Sequence, residues 1–127
     1  MKDTQIPLLV IDDDRDVRDA VVESLTDEGY GALEAENGAK ALALLRNGAR
    51  LPCVILLDMM MPVMDGPTFR AAQLDDPRLR GIPVVIMSAS PRIESVATDL
   101  EATGFLRKPL QLSDLLAVAE RFCSAPG

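Results

Sequence analysis

The chain has 127 residues, a net charge of −7 and no histidine. A surface this acidic repels a phosphate backbone, so direct nucleic-acid binding is not expected, and the 13 basic residues are scattered rather than gathered into a block. Without histidine there is no Ser-His-Asp or Cys-His catalysis, no imidazole-ligated metal and no phosphohistidine on the chain itself, which leaves carboxylates, hydroxyls and lysine to carry any chemistry.

The first apolar run, Leu8–Ile11, shows no polar alternation and reads as a strand covered on both faces. It runs straight into Asp12, Asp13 and Asp14. A helix follows from near Arg15, with Val17, Ala20, Val21 and Leu25 on one face and Gly29 as its end; Asp14 is either its cap or a solvated charge. Gly31–Ala35 is less apolar and suits an edge strand. "NGAKALALLRNG" reads as a second helix, capped by Asn37 and stopped at Gly48, with Ala39, Leu42 and Leu45 facing inward. Val54–Leu57 is a further buried strand, ending at Asp58. Gly66-Pro67 then opens a helix at "PTFRAAQL", with Gly66 expected to supply turn freedom.

Val84–Met87 is the next buried strand and ends at Ser88. A short helix is expected within Arg92–Leu100, then a weak strand at Phe105–Leu106 followed by Lys108. The last helix is "LLAVAERF", with Ser113 and Asp114 ahead of it, and "SAPG" closes the chain. Cys53 and Cys123 are far apart and lack metal-ligand spacing; Cys53 is expected to be a small core residue and no disulfide is expected. No leader and no run long enough to span a bilayer is seen, so a cytoplasmic protein without membrane insertion is expected.

Strand and helix alternate five times over residues 1–127 without an internal boundary. This predicts one α/β domain, a doubly wound parallel sheet with helices on both faces. Asp12, Asp13, Asp58, Ser88 and Lys108 all fall at C-terminal ends of predicted strands, which share one edge of such a sheet. If the first and third strands are neighbours, three acids converge there, a costly arrangement unless a cation neutralises them. Oxygen-only donors point to a hard ion such as Mg²⁺ or Mn²⁺. A carboxylate held beside such an ion and an ammonium can attack phosphorus. A calcium loop on Asp12, Asp14 and Asp16 fits poorly, because Val17 stands where a glycine is required. A small aspartate-based phosphatase and plain surface acids remain as the rival readings.

Four segments, "VIDDD", "LLDMMMPVMDG", "PVVIMSAS" and "FLRKPL", occur in the order and at the gaps of a response-regulator receiver domain, which the chain resembles over Ile6–Phe122. The resemblance implies a five-stranded flavodoxin-like sheet of order 2-1-3-4-5, for which receiver domains are a standard example. It implies that Asp58 is the phosphoacceptor and that Asp13 and Asp58 bind Mg²⁺ directly. Asp12 would act through a coordinated water, and Met60 through its backbone carbonyl. Lys108 would pair with the acceptor and then the phosphoryl group, while Ser88 and Phe105 would form the switch. Ser88 as a mere cap and Phe105 as ordinary core are the plain alternatives. Met59 and Met61 are expected to pack, and Lys108–Pro109 to be cis.

The implied partners are a histidine kinase or histidine phosphotransfer protein and a downstream protein target, with a homodimer left open. No separate substrate is turned over. A stand-alone switch and a receiver excised from a longer regulator or hybrid kinase both fit. Two departures stand out: the stretch Ala89–Gly104 is short, which shortens or displaces the fourth helix. Met60 and Ser90 also occupy positions where other receivers can hold a polar group that orients water.

Overall fold

A computed structural model describes residues 6–48 and 50–123; the closing "SAPG" lies outside the described residues. The elements run β1 (Leu8–Ile11), α1 (Arg15–Asp27), β2 (Ala32–Ala35), α2 (Gly38–Asn47), β3 (Ile55–Asp58), α3 (Gly66–Leu74), β4 (Val84–Ser88), α4 (Ile93–Asp99), β5 (Gly104–Arg107) and α5 (Leu112–Phe122). The five strands form one parallel sheet of order β2-β1-β3-β4-β5. The architecture is the one expected from the alternation of elements.

The apolar runs lack alternation because both sheet faces are covered, yet each strand still divides its side chains by parity. Leu9, Ile11, Ile55, Leu57, Val84 and Ile86 face one core, closed by Leu42 and Leu45 of α2, Phe69 of α3, and Ile93 and Ala97 of α4. Leu8, Val10, Leu56, Val85 and Met87 face the other, closed by Val21 and Leu25 of α1 and by Leu115 and Ala119 of α5. The edge strands β2 and β5 are only partly buried, as their mixed composition requires.

Local chemistry sets the helix ends. Asp14 caps α1, its Oδ1 accepting from the N–H groups of Asp16 at 2.9 Å and Val17 at 3.2 Å. Asn37 caps α2 through the Lys40 N–H at 2.8 Å. Gly29, at φ 89°, ends α1, and the following Tyr30 N–H reaches back to the Leu25 carbonyl. The same closure ends α4, but with Glu101 at φ 55° where glycine is the easier residue.

Four expectations are corrected. Gly66 does not occupy the left-handed region; it is needed because a Cβ there would lie 2.9 Å from the Asp58 carbonyl and 2.6 Å from Met59 Cε. Ala41 rather than Ala39 joins Leu42 and Leu45 in the core. Helix α5 begins at Leu112, so Ser113 and Asp114 lie in its first turn instead of ahead of it. Finally, Cys53 and Cys123 are joined by a disulfide, their Cα atoms 5.4 Å apart. Helix α5 runs back along the sheet from the end of β5, which brings Cys123, the residue just after it, beside the start of β3, a juxtaposition that 70 residues of separation conceal.

A buried polar network that no local pattern marks lies on α3. Arg70 and Gln73 of α3 are 6% and 0% exposed. The Arg70 guanidinium donates to the carbonyls of Leu100 and Glu101 and to Gln73 Oε1, at 2.8–2.9 Å. Gln73 Nε2 donates to the carbonyls of Leu79 and Ile82. One helix face thus ties down the end of α4 and the turn before β4. Truncating Arg70 would strand carbonyls beside a void. The variant Arg70→Ala is expected to lose about 3 kcal/mol of unfolding free energy in a denaturant titration, with the loss concentrated in amide protection around 98–103.

Candidate functional site

Parallel strands deliver their C-terminal ends to one edge, and the order reversal beside β1 opens a crevice between β1 and β3. Asp12 immediately follows β1, Asp58 ends β3, Ser88 ends β4 and Lys108 follows β5. Register carries this alignment across the sheet, with Asp58 opposite Met87 and Ser88 opposite Arg107. The Lys108 N–H then donates to the Ser88 carbonyl at 2.9 Å, extending the ladder past β5 and fixing where the lysine side chain departs. The Lys108–Pro109 bond that follows is cis, as the resemblance implies.

The Lys108 ammonium donates to Asp12 Oδ2 at 3.0 Å and to Asp58 Oδ1 at 3.2 Å. Asp12 is fully buried, and its other oxygen accepts the Asp14 N–H at 2.9 Å. Asp58 is 5% exposed, whereas Asp13 sits at the open side of the cluster. Carboxylate oxygens of Asp12, Asp13 and Asp58 lie within 4.8 Å of one another. Three acids therefore face one ammonium, and an all-oxygen donor set with excess negative charge suits a hard divalent cation.

The electrostatics follow from this crowding. Burial, then the Asp12 charge, pushes the Asp58 carboxyl up to about 6, against the opposing pull of Lys108. Burial alone would lower the Lys108 ammonium, but its bonds to Asp12 and the charge of Asp58 outweigh that and raise it. Lys108 thus stays charged, while the ionised form of Asp58 is disfavoured relative to a free carboxylate.

Ser88 is buried, and its Oγ accepts the Ser90 N–H at 3.0 Å, so the hydroxyl caps the following turn while keeping its own proton available to donate. Phe105 lies apart from the acids, half-buried against the core beside α4, with the Arg107 guanidinium 5.5 Å above its ring. Met59 and Met61 pack in the core as expected, whereas the Met60 side chain is 79% exposed. Two further residues support the site. Arg18 donates to the Asp12 carbonyl at 2.8 Å and pairs with Glu34, bracing the loop that carries the acids. Val63, at φ 70° and 84% exposed, holds the loop after Asp58 in a conformation that a β-branched residue adopts only under strain. Neither carries a mark in sequence that separates it from an ordinary surface charge or an ordinary valine.

A doubly wound α/β protein with an acidic cluster and one bridging ammonium at its switch-point edge is the class this geometry defines. The sequence profile of the response regulator receiver domain matches residues 8–120, and the chain belongs to that family. It is 32% identical over 123 residues to an uncharacterized 14.6 kDa protein of Leptolyngbya boryana, spanning 95% of this chain and 92% of that one. It is 37% identical over 118 residues to the response regulator MprA of a Mycobacterium species, covering 88% of this chain but 48% of MprA. The chemotaxis response regulator CheY4 of Vibrio cholerae superposes with a TM-score of 0.81 at 30% identity, over 92% of this chain and 98% of that one.

In the presence of a chelator, ionising Asp58 opposes folding. The unfolded chain releases this proton in the ordinary carboxylate range and the folded chain only near 6, so the folded state binds more protons between those values. Stability attributable to this group therefore falls as pH rises from about 4 to about 6, by on the order of 2 kcal/mol, and stays level above. Urea titrations of the parent and Asp58→Asn should diverge across that window, with the variant the more stable at pH 7.

Proposed function

We propose that this receiver domain is the phosphoacceptor switch of a two-component or phosphorelay pathway, taking a phosphoryl group from the phosphohistidine of a histidine kinase or histidine phosphotransfer protein onto Asp58. The observation that carries the reading is the Asp58 carboxylate, ending β3 within an acid cluster and bonded to the same ammonium as Asp12.

An Asp58 carboxylate oxygen forms the new bond to phosphorus as the nitrogen–phosphorus bond of the donor breaks, and the imidazole nitrogen leaves with the electron pair. Lys108 is placed to follow charge from the carboxylate onto the transferring oxygens. Ser88 can turn its free proton toward one of those oxygens, giving up its bond to the Ser90 N–H. Asp13 and Asp58 would hold Mg²⁺ or Mn²⁺ directly, Asp12 through a water and Met60 through its backbone carbonyl. When bound, that ion supplies Lewis-acid charge to the phosphoryl oxygens.

The chain promotes its own phosphorylation and dephosphorylation and has no separate substrate. Movement of Ser88, followed by Phe105, would change the surface of α4, β5 and α5 that a cytoplasmic target or a second copy meets. A target shifts the equilibrium only by its difference in affinity for the two states. Relatives of about this length and of about twice this length occur, so the same reading serves a stand-alone switch and the receiver portion of a longer regulator. Among the described residues no helix is long and apolar enough to cross a membrane.

A labelled-phosphate assay with a small acyl phosphate and Mg²⁺ tests the assignment. The parent should take up acid-stable, base-labile label and Asp58→Asn should take up none; undiminished incorporation in that variant would remove Asp58 as acceptor. The exposed Met60 thioether cannot hold an attacking water as an amide can. Phospho-Asp58 is accordingly expected to be long-lived, and Met60→Asn to shorten its half-life by at least about threefold in a chase after donor removal.

A further inference from the structure

We infer that Cys53 and Cys123 form a reversible dithiol–disulfide pair that sets how firmly α5 is held and, through α5, how Lys108 is presented to Asp58. The functional half of this inference rests on Asp58 being the phosphoacceptor; the mechanical half does not. The argument is topological. Cys53 immediately precedes the segment entering β3, the strand that ends at Asp58. Cys123 immediately follows α5, the helix that begins shortly after Lys108. The disulfide thus joins the far ends of the two segments whose near ends meet in the 3.2 Å contact between Lys108 and Asp58. A closed ring results, running from Cys53 along β3 to Asp58, across to Lys108, down α5 to Cys123 and back through the sulfurs. One closure of the ring is covalent and the other ionic, and they lie at opposite edges of the sheet.

Three features make the covalent closure switchable rather than merely structural. Cys123 continues the inward stripe of Leu115 and Ala119, and as a thiol it still fits that apolar position, so the fold does not depend on the bond. Two extensive cores remain on reduction. Access is unequal, because Cys123 is 5% exposed while Cys53 is only half-buried. A small-molecule thiol therefore enters at Cys53. Its thiolate bonds to Cys53 Sγ, and the sulfur–sulfur bond breaks toward Cys123, which leaves as a thiolate and takes up a proton. A second thiolate then releases Cys53 as a thiol, so two small thiols become one small disulfide and the protein gains two thiols. Oxidation by the small disulfide is the reverse sequence. The reduced chain keeps α5 only by packing along one face, and its last turn then opens more readily.

The test uses the full chain in redox buffers of a small thiol and its disulfide, with wild-type sequence in both states. Acid quenching and alkylation should show no modified cysteine in the oxidising buffer and two in the reducing one, with a circular dichroism spectrum of the folded protein in each. Amide exchange in residues 115–123 should be at least tenfold faster in the reduced protein, and the Cys53→Ser, Cys123→Ser double variant should match the reduced form in both buffers. Reduction should lower Tm by roughly 10 °C, since the bond closes a long loop. Phosphorylation by a small acyl phosphate should differ at least threefold in rate between the two forms. A cystine that millimolar thiol cannot open in the folded protein, or equal exchange of α5 in both states, would overturn the staple. Equal phosphorylation rates despite unequal exchange would overturn its link to Lys108. Failure of both forms to take label at Asp58 would instead strike the phosphoacceptor reading, while the exchange result would still decide the staple.

Discussion

The contact on which the rest depends is that of one ammonium with two buried carboxylates. Asp12 and Asp58 are almost wholly withdrawn from water, and Asp13 stands beside them. Lys108 offsets part of that charge, and no arrangement of these residues alone offsets all of it. The remaining negative charge suits the edge to a hard cation and exposes the Asp58 carboxyl to any group that brings positive charge or takes it away. The fold tolerates the imbalance because the acids sit at strand tips, where the cost is local and two large apolar cores on either side of the sheet hold the backbone in place.

Much of this could be read from residue order. Unalternated runs at Leu8–Ile11, Val54–Leu57 and Val84–Met87 announce strands covered on both faces, and the acids, Ser88 and Lys108 at their ends announce a shared edge. Capping by Asp14 and Asn37 follows from their side-chain chemistry, and the inward packing of Met59 and Met61 from ordinary apolar burial. Strand order is different: it rests on the likeness to receiver domains, because alternation alone does not say which neighbour each strand chooses.

What stayed hidden has a common physical cause. The cystine joins residues 70 positions apart, Arg70 reaches the Leu100 carbonyl 30 positions away and Arg18 pairs with Glu34 16 positions away, and nothing local marks their members. Arg70 looks like the polar face of an amphipathic helix, and it is buried because the carbonyls at the end of α4 need donors. Gly66 has the opposite history: the residue type is legible but the reason is not, since close approach of the Asp58 carbonyl, rather than backbone freedom, excludes a side chain.

The two ends of α4 are held very differently. Its first residues follow Arg92 with no side-chain cap, directly downstream of Ser88, whereas its last carbonyls are gripped by the Arg70 guanidinium and closed by the left-handed Glu101. The first turn of this seven-residue helix is held instead by the full burial of Ile93 and by its N–H bond to the Ser90 carbonyl. A displacement entering from the tip of β4 would therefore meet apolar packing at Ile93 first and the guanidinium bonds near Leu100 last. The two fastenings differ in kind, apolar burial at one end and charge-assisted hydrogen bonds at the other, and they stand about two helical turns apart.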